Sequence, residues 1–192
     1  MSRADQKEQT RQRIVDAAAR GFREGGFRGV GVDALAQRAG LTSGAFYVHF
    51  DSKAAAFCQA VEQGMHELKE GVVHCQAMHG KAWWSEFVRF YLGFKRTCDL
   101  ADSCTLQSLS PEVARADAAS TAVFEKGLHQ VVDAILDGPR SAKAPRDVDS
   151  ALAALATLIG AVTLARAVGS SAMSTQIAAA AEGALLGERA QS

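Results

Sequence analysis

Four cysteines, Cys58, Cys75, Cys98 and Cys104, are the most reactive side chains of this 192-residue chain. None forms a C-x-x-C pair, which excludes the spacing of zinc fingers and thioredoxin-like redox sites. Cys104 follows Ser103, which is expected to cap a helix that opens there. A thiol in the first turn of a helix is favoured as thiolate, the nucleophilic form. Cys98 is near enough in sequence to serve as its resolving thiol, whereas the plainer expectation makes Cys104 a small buried hydrophobe. His66, His74, Cys75 and His79 invite a metal, but His74 and His79 are five apart and miss the i, i+4 spacing that would place both on one helix face. Neither a metal nor a cofactor is expected. G-x-S-x-G, a Gly-rich phosphate loop and H-E-x-x-H are all absent, so nothing points to an enzyme. Trp83, Trp84, Phe87, Phe90, Tyr91 and Phe94 concentrate aromatic surface in one segment. They are candidates to line a pocket for a mostly apolar small molecule, or else an ordinary helix core.

The segment Gly31–Phe50, GVDALAQRAGLTSGAFYVHF, has a different logic. Gly40 turns the chain between two short helices and Leu41 plugs the corner. Ala36 and Ala39 are small enough to let the helices approach, and Ser43 is placed to cap the second one. A second helix held in this way projects from the body and fits a DNA major groove.

The residues Ile14, Ala17-Ala18, Phe22, Gly26-Phe27, Val32, Leu35-Ala36, Ala39 through Gly44, Tyr47 through Phe50 and Ser52-Lys53 resemble, in order and spacing, the N-terminal domain of TetR-family transcriptional regulators. The resemblance is carried by the first sixty residues; the remainder is similar to the family's sensing domains mainly in helix count. It implies that Thr42, Tyr47, His49 and Lys53 touch phosphates while Ser43, Gly44 and Ala45 lie against base edges. Tyr47 supplies a rigid O–H donor. Lys53 supplies a charge in the first turn of the fourth helix, where unpaired N–H groups also favour an anion. Gly44 and Ala45 let the backbone approach the bases, and the Ala45 methyl can pack on a thymine methyl. The family often has Thr where Val30 and Gly31 stand; Gly31 is counted among the DNA-binding positions although its side-chain contact is lost. Asp33 stands where some members have a base-reading Arg. With few long polar side chains toward the bases, specificity is expected to lean on Arg3, Lys7 and Arg11 of the first helix and on DNA shape. Some regulators of this family sense electrophiles or oxidants through a cysteine near the position of Cys104, and the segment Cys104–Val113 is similar to theirs.

These residues need helices to place them. Apolar periodicity predicts helices over about 3–24 (closed by Gly25-Gly26), 32–39, 43–50, 53 into the seventies, 81–98, 104–116 with an interruption at Ser110-Pro111, 118–136, 147–168 and 171–187. No strand and no repeat is evident, so the expected fold is all-α with about nine helices: a helix-turn-helix domain over 1–52 and an effector-binding and dimerisation domain over 53–192.

Composition agrees. Hydrophobic residues make up 48% and the net charge is zero, but residues 1–60 carry a net of +3 and the rest a net of −3. The polar N-terminus lacks the apolar run of a signal peptide, and the apolar stretch 151–165 is shorter than a membrane span, so the cytoplasm and no membrane are expected. One recognition helix makes few contacts, so specificity calls for two copies on half-sites about 34–36 Å apart or a multiple of that. Leu152, Leu155, Ala156, Ile159, Gly160 and Val162 suit close packing of the last two helices in a homodimer. The partners expected are a double-stranded DNA operator, a second copy of the chain and an unidentified small-molecule effector.

Overall fold

The computed structural model describes residues 2–187. It is all-α, and no strand occurs among the described residues. The elements are α1 (Arg3–Gly29), α2 (Val32–Arg38), α3 (Ser43–His49), α4 (Lys53–His79), α5 (Trp83–Thr97), α6 (Thr105–Val113), α7 (Ala118–Leu136), α8 (Val148–Ala167) and α9 (Ser171–Leu186), with single 3-10 turns at Gly80–Ala82 and Leu100–Asp102. The fold class and helix order are those expected from the periodicity.

The chain divides into two compact units. One comprises Met1–Met65 and Leu100–Lys126, the other His66–Asp99 and Gly127–Ser192. This division does not follow the expected boundary at residue 52, for a physical reason. In the first unit α1 is tied to a segment fifty residues beyond that boundary. Arg20 pairs with Asp102, and Arg23 donates to the Ala101 carbonyl at 2.7 Å and to Thr105 Oγ1 at 3.3 Å. Ser2 and Asp5 form a capping box that starts α1. Ile14, Ala18 and Phe22 then bury one face of the helix, and Phe22, Phe27 and Phe57 gather with ring centroids 5.2–5.9 Å apart. Gly64 meets α6 closely: a Cβ there would lie 1.9 Å from Thr105 Oγ1, so this crossing needs glycine.

Two local expectations in this unit fail. Ser103 does not cap α6. Its hydroxyl donates to the Leu100 carbonyl at 2.6 Å, closing the 3-10 turn, and Cys104 takes the N-cap position with no side-chain hydrogen bond. Pro111 does not interrupt α6 but sits inside it, and the helix ends at Val113. Proline's missing N–H removes only one bond this close to a helix end, and its ring is exposed.

In the second unit, α5 packs on α8 and α9. Trp83, Trp84, Tyr91, Ile135 and Leu158 are fully buried there. Asp147 caps α8 by accepting from Ser150 N at 2.8 Å, and the hydrogen bonds from Ser150 hold its carboxyl below the usual range. Arg166, in the last turn of α8, donates to the Lys95 carbonyl at 2.6 and 3.1 Å and to the Cys98 carbonyl at 2.9 Å, closing the end of α5. By length and composition α8 is apolar enough to cross a membrane. Its Leu155, Leu158 and Val162 are buried within the unit, whereas Leu152 and Leu164 are exposed.

Candidate nucleic-acid interface

The turn between α2 and α3 is built as its composition demands. Leu35 and Ala36 are buried. Gly40 takes φ +69, and the Ala39 carbonyl beside it accepts from Arg13 Nη2. A Cβ on Gly40 would meet that guanidinium at 2.8 Å, so both the backbone and the neighbour require glycine. Leu41 N donates to the Ala36 carbonyl at 2.9 Å. The cap of α3 is Thr42, whose Oγ1 accepts from Ala45 N at 3.2 Å. Ser43, expected to cap, is one residue too late and donates its hydroxyl to Asp33 of α2 instead.

Phe46 and Phe50 anchor α3 in the core. With that face fixed, the opposite face carries Gly44, Tyr47 and Val48, at helical spacing and open to solvent. Tyr47 is 55% exposed and Val48 69%. Val48 was not among the residues expected to face DNA. Its i+4 relation to Gly44 is the signal that would have found it. Gly31 and Thr42 are exposed, and Ser43, Ala45 and His49 are half-buried. Gly31 is the N-cap of α2 and brings no side-chain hydrogen bond. His49 Nδ1 is buried without a hydrogen-bond partner among the described residues.

Two cations expected to face DNA are held by the protein. Lys53 Nζ donates to the Phe27 carbonyl at 2.7 Å and the Val30 carbonyl at 3.1 Å, and lies 4.5 Å from the centre of the Phe27 ring. An ammonium has three donors, so one is left for an anion. Arg11 donates to Gln59 Oε1 at 2.7 Å and lies over the Phe50 ring at 5.0 Å. Arg3 and Lys7 are exposed.

The aromatic segment of the second unit splits by face. Trp83, Trp84, Phe87 and Tyr91 are buried, whereas Phe90 and Phe94 are each 51% exposed and stack on one another at 5.4 Å. The six therefore do not converge on one space; the helical repeat sends Phe90 and Phe94 to the far side of α5. Trp84 Nε1 is buried with no hydrogen-bond partner among the described residues.

All four cysteines are free. Cys104 is 6% exposed. Cys98 is half-buried and its sulfur accepts from Arg166 Nη2 at 3.2 Å. Burial pushes the Cys58 and Cys75 thiols above their ordinary value, with the Ser120 hydrogen bond opposing the rise at Cys58 and Glu86 adding to it at Cys75. Among the described residues no three His, Cys, Asp or Glu side chains group as metal ligands would.

Comparison with known proteins places this geometry. The model of bacterial regulatory proteins of the tetR family matches residues 14–60. The HTH-type transcriptional regulator SrpR of Pseudomonas putida is 38% identical over 66 residues, covering 34% of this chain and 31% of that protein. A second HTH-type transcriptional regulator of the same species, the uncharacterized TtgW, is 36% identical over 66 residues, covering 34% of this chain and 49% of its own length. The matched segment thus spans less than half of each of these relatives. Among solved structures, reduced NemR of E. coli superposes with TM-score 0.75 at 17% identity, covering 92% of this chain and 95% of that one. A TetR-family transcriptional regulator from Cytophaga hutchinsonii gives 0.74 at 21% identity, covering 100% and 99%. At these identities the superpositions speak for the fold.

Proposed function

As a member of the TetR family, carrying that family's helix-turn-helix over residues 14–60, this chain is, we propose, a sequence-specific DNA-binding transcriptional regulator that acts as a homodimer in the cytoplasm and not as an enzyme. The observation that carries the proposal is the outward face of α3. Phe46 and Phe50 fix the helix from behind, and Gly44, Tyr47 and Val48 are left open at the spacing that a major groove accepts. Tyr47 and Thr42 supply hydroxyl donors to phosphates; Gly44 and Ala45 allow close approach to base edges; Val48 adds an apolar contact suited to a thymine methyl. Gly31, Ser43, His49 and Lys53 complete the surface. Selection of bound sequences from random duplex DNA tests the proposal. A palindromic consensus whose binding weakens steeply with salt is expected, and sequence-independent binding would refute it.

Dimerisation is proposed through α8 and α9. Leu155 and Val162 serve the protomer's own core, but Leu152, Ala156 and Leu164 are exposed on α8. An apolar face of this kind suits pairing with its two-fold mate. Repression is the family's usual outcome, released by a small-molecule effector bound in the second unit. Support comes from Trp84, whose buried indole N–H has no acceptor among the described residues and matches a polar atom on a mostly apolar ligand. Phe90 and Phe94, on the far side of α5, are not counted in that pocket.

A second reading, release by thiol modification, is favoured by one observation. Cys98 is half-buried with a guanidinium donating to its sulfur, whereas Cys104, the thiol first singled out, is buried. Loss of electrophile-triggered DNA release in Cys98→Ser, with release retained in Cys104→Ser, is the expected result.

A further inference from the structure

The connector that runs from the break at Gly26, near the end of α1, to the start of α2 is gripped from two sides: by Lys53, which belongs to the helix-turn-helix pattern, and by Glu112, which does not. At Gly26 the backbone turns to φ 69, ψ 174, which breaks the helix and leaves the Phe27 N–H without its helical acceptor. Glu112 of α6 replaces that acceptor: its Oε2 takes the Phe27 N–H at 3.2 Å. The carboxylate is seated on the break itself, since a Cβ on Gly26 would lie 3.3 Å from Glu112 Oε1. On the carbonyl side of the same short stretch, Lys53 donates to Phe27 and Val30. Gly31, which follows, brings no side-chain cap to α2. The orientation in which the chain enters α2 is therefore set by one acceptor from α6 and one donor from α4.

We infer that Glu112 is a positioning residue for DNA binding. By holding the Phe27 N–H it fixes the α1–α2 connector, and with it both the α2–α3 pair and the direction in which Lys53 points. The inference rests on the DNA-binding function proposed above. It adds a residue more than fifty positions beyond the helix-turn-helix, in α6. The relevant property is the hydrogen bond to a backbone amide, not the charge. The carboxylate's ion pair with the exposed guanidinium of Arg115, 3.4 Å away, is incidental to it.

The experiment compares operator binding by the full-length wild type, Glu112→Ala, Glu112→Gln and Arg115→Ala, on a sequence selected with the wild type. Amide hydrogen exchange at Phe27 is measured on each free protein. Glu112→Ala is expected to lose about tenfold in affinity and to lose protection at Phe27, while the core amides of α4 keep theirs. Glu112→Gln keeps an oxygen acceptor and is expected to bind within about twofold of wild type. Arg115→Ala is expected to bind as wild type does. Unchanged affinity in Glu112→Ala overturns the inference. So does a loss in Glu112→Gln equal to that in Glu112→Ala, or a loss accompanied by falling protection throughout α4. Failure of the wild type to select any sequence overturns the DNA-binding function itself and is recognised before a variant is made.

Discussion

Ser43, the first residue of α3, donates its hydroxyl to the Asp33 carboxylate in the first turn of α2. The bond braces the two helices of the motif against each other. It also sets a negative charge on the exposed side of the helix pair that is proposed to meet phosphates. Brace and repulsion act in opposite directions, and their chemistry separates them.

Asp33→Asn keeps an acceptor for Ser43 and removes the charge. It is expected to tighten DNA binding by roughly threefold to tenfold at low salt, with the gain shrinking as salt is added. Fluorescence anisotropy on a selected duplex at several ionic strengths measures this. Equal or weaker binding would mean that Asp33 is remote from the phosphates.

Lys53→Ala is expected to have two effects of separate origin. Losing the donor to the Phe27 and Val30 carbonyls costs about 1–3 kcal/mol of stability, read from urea unfolding. Losing the remaining donor lowers the slope of log affinity against log salt by about one unit. A stability loss with an unchanged salt slope would make Lys53 a bracket for the connector and remove it from the phosphate contacts.

The motif was legible because its constraints are local. Gly40 must turn, Phe46 and Phe50 must face inward, and the order of small and large residues around them admits one arrangement. The break at Gly25-Gly26 was legible for the same reason. What escaped depends on partners distant in sequence. Lys53 reads as a free cation until the Phe27 and Val30 carbonyls are brought under it, and Arg11 does so until Gln59 is placed beside it. Ser103 and Ser43 are both good capping residues, but each hydroxyl donates elsewhere, to the Leu100 carbonyl and to the Asp33 carboxylate, and neither accepts from a helix N–H as a cap does. Composition groups Phe90 and Phe94 with Phe87 and Tyr91, while the helical repeat separates them.

The proposed dimer face makes a sharp contrast within one helix. Leu152→Glu, at an exposed position of α8, is expected to leave the protomer folded and to convert a dimer into monomers in sedimentation velocity at micromolar concentration. Leu158→Ala, fully buried, is expected to cost about 2–5 kcal/mol in unfolding. A Leu152→Glu protein that still sediments as a dimer would move the interface elsewhere.

Thiol reactivity should follow environment in an order the sequence alone does not suggest. Burial raises the Cys58 and Cys75 thiols above their ordinary value, so their thiolate fraction at neutral pH falls below that of an ordinary cysteine and both should label slowly. Cys104 is shielded by its surroundings whatever its position at the start of α6. Cys98 is only half-buried, and Arg166 donates to its sulfur at 3.2 Å. Limited labelling of the folded protein with iodoacetamide at about neutral pH, followed by peptide mass mapping, is expected to modify Cys98 first. Arg166→Met should slow that labelling, because it removes the donor while keeping much of the side-chain volume. Faster labelling of Cys104 than of Cys98 would return the thiol hypothesis to α6, and equal labelling in wild type and Arg166→Met would show that the guanidinium acts only as a cap on the end of α5.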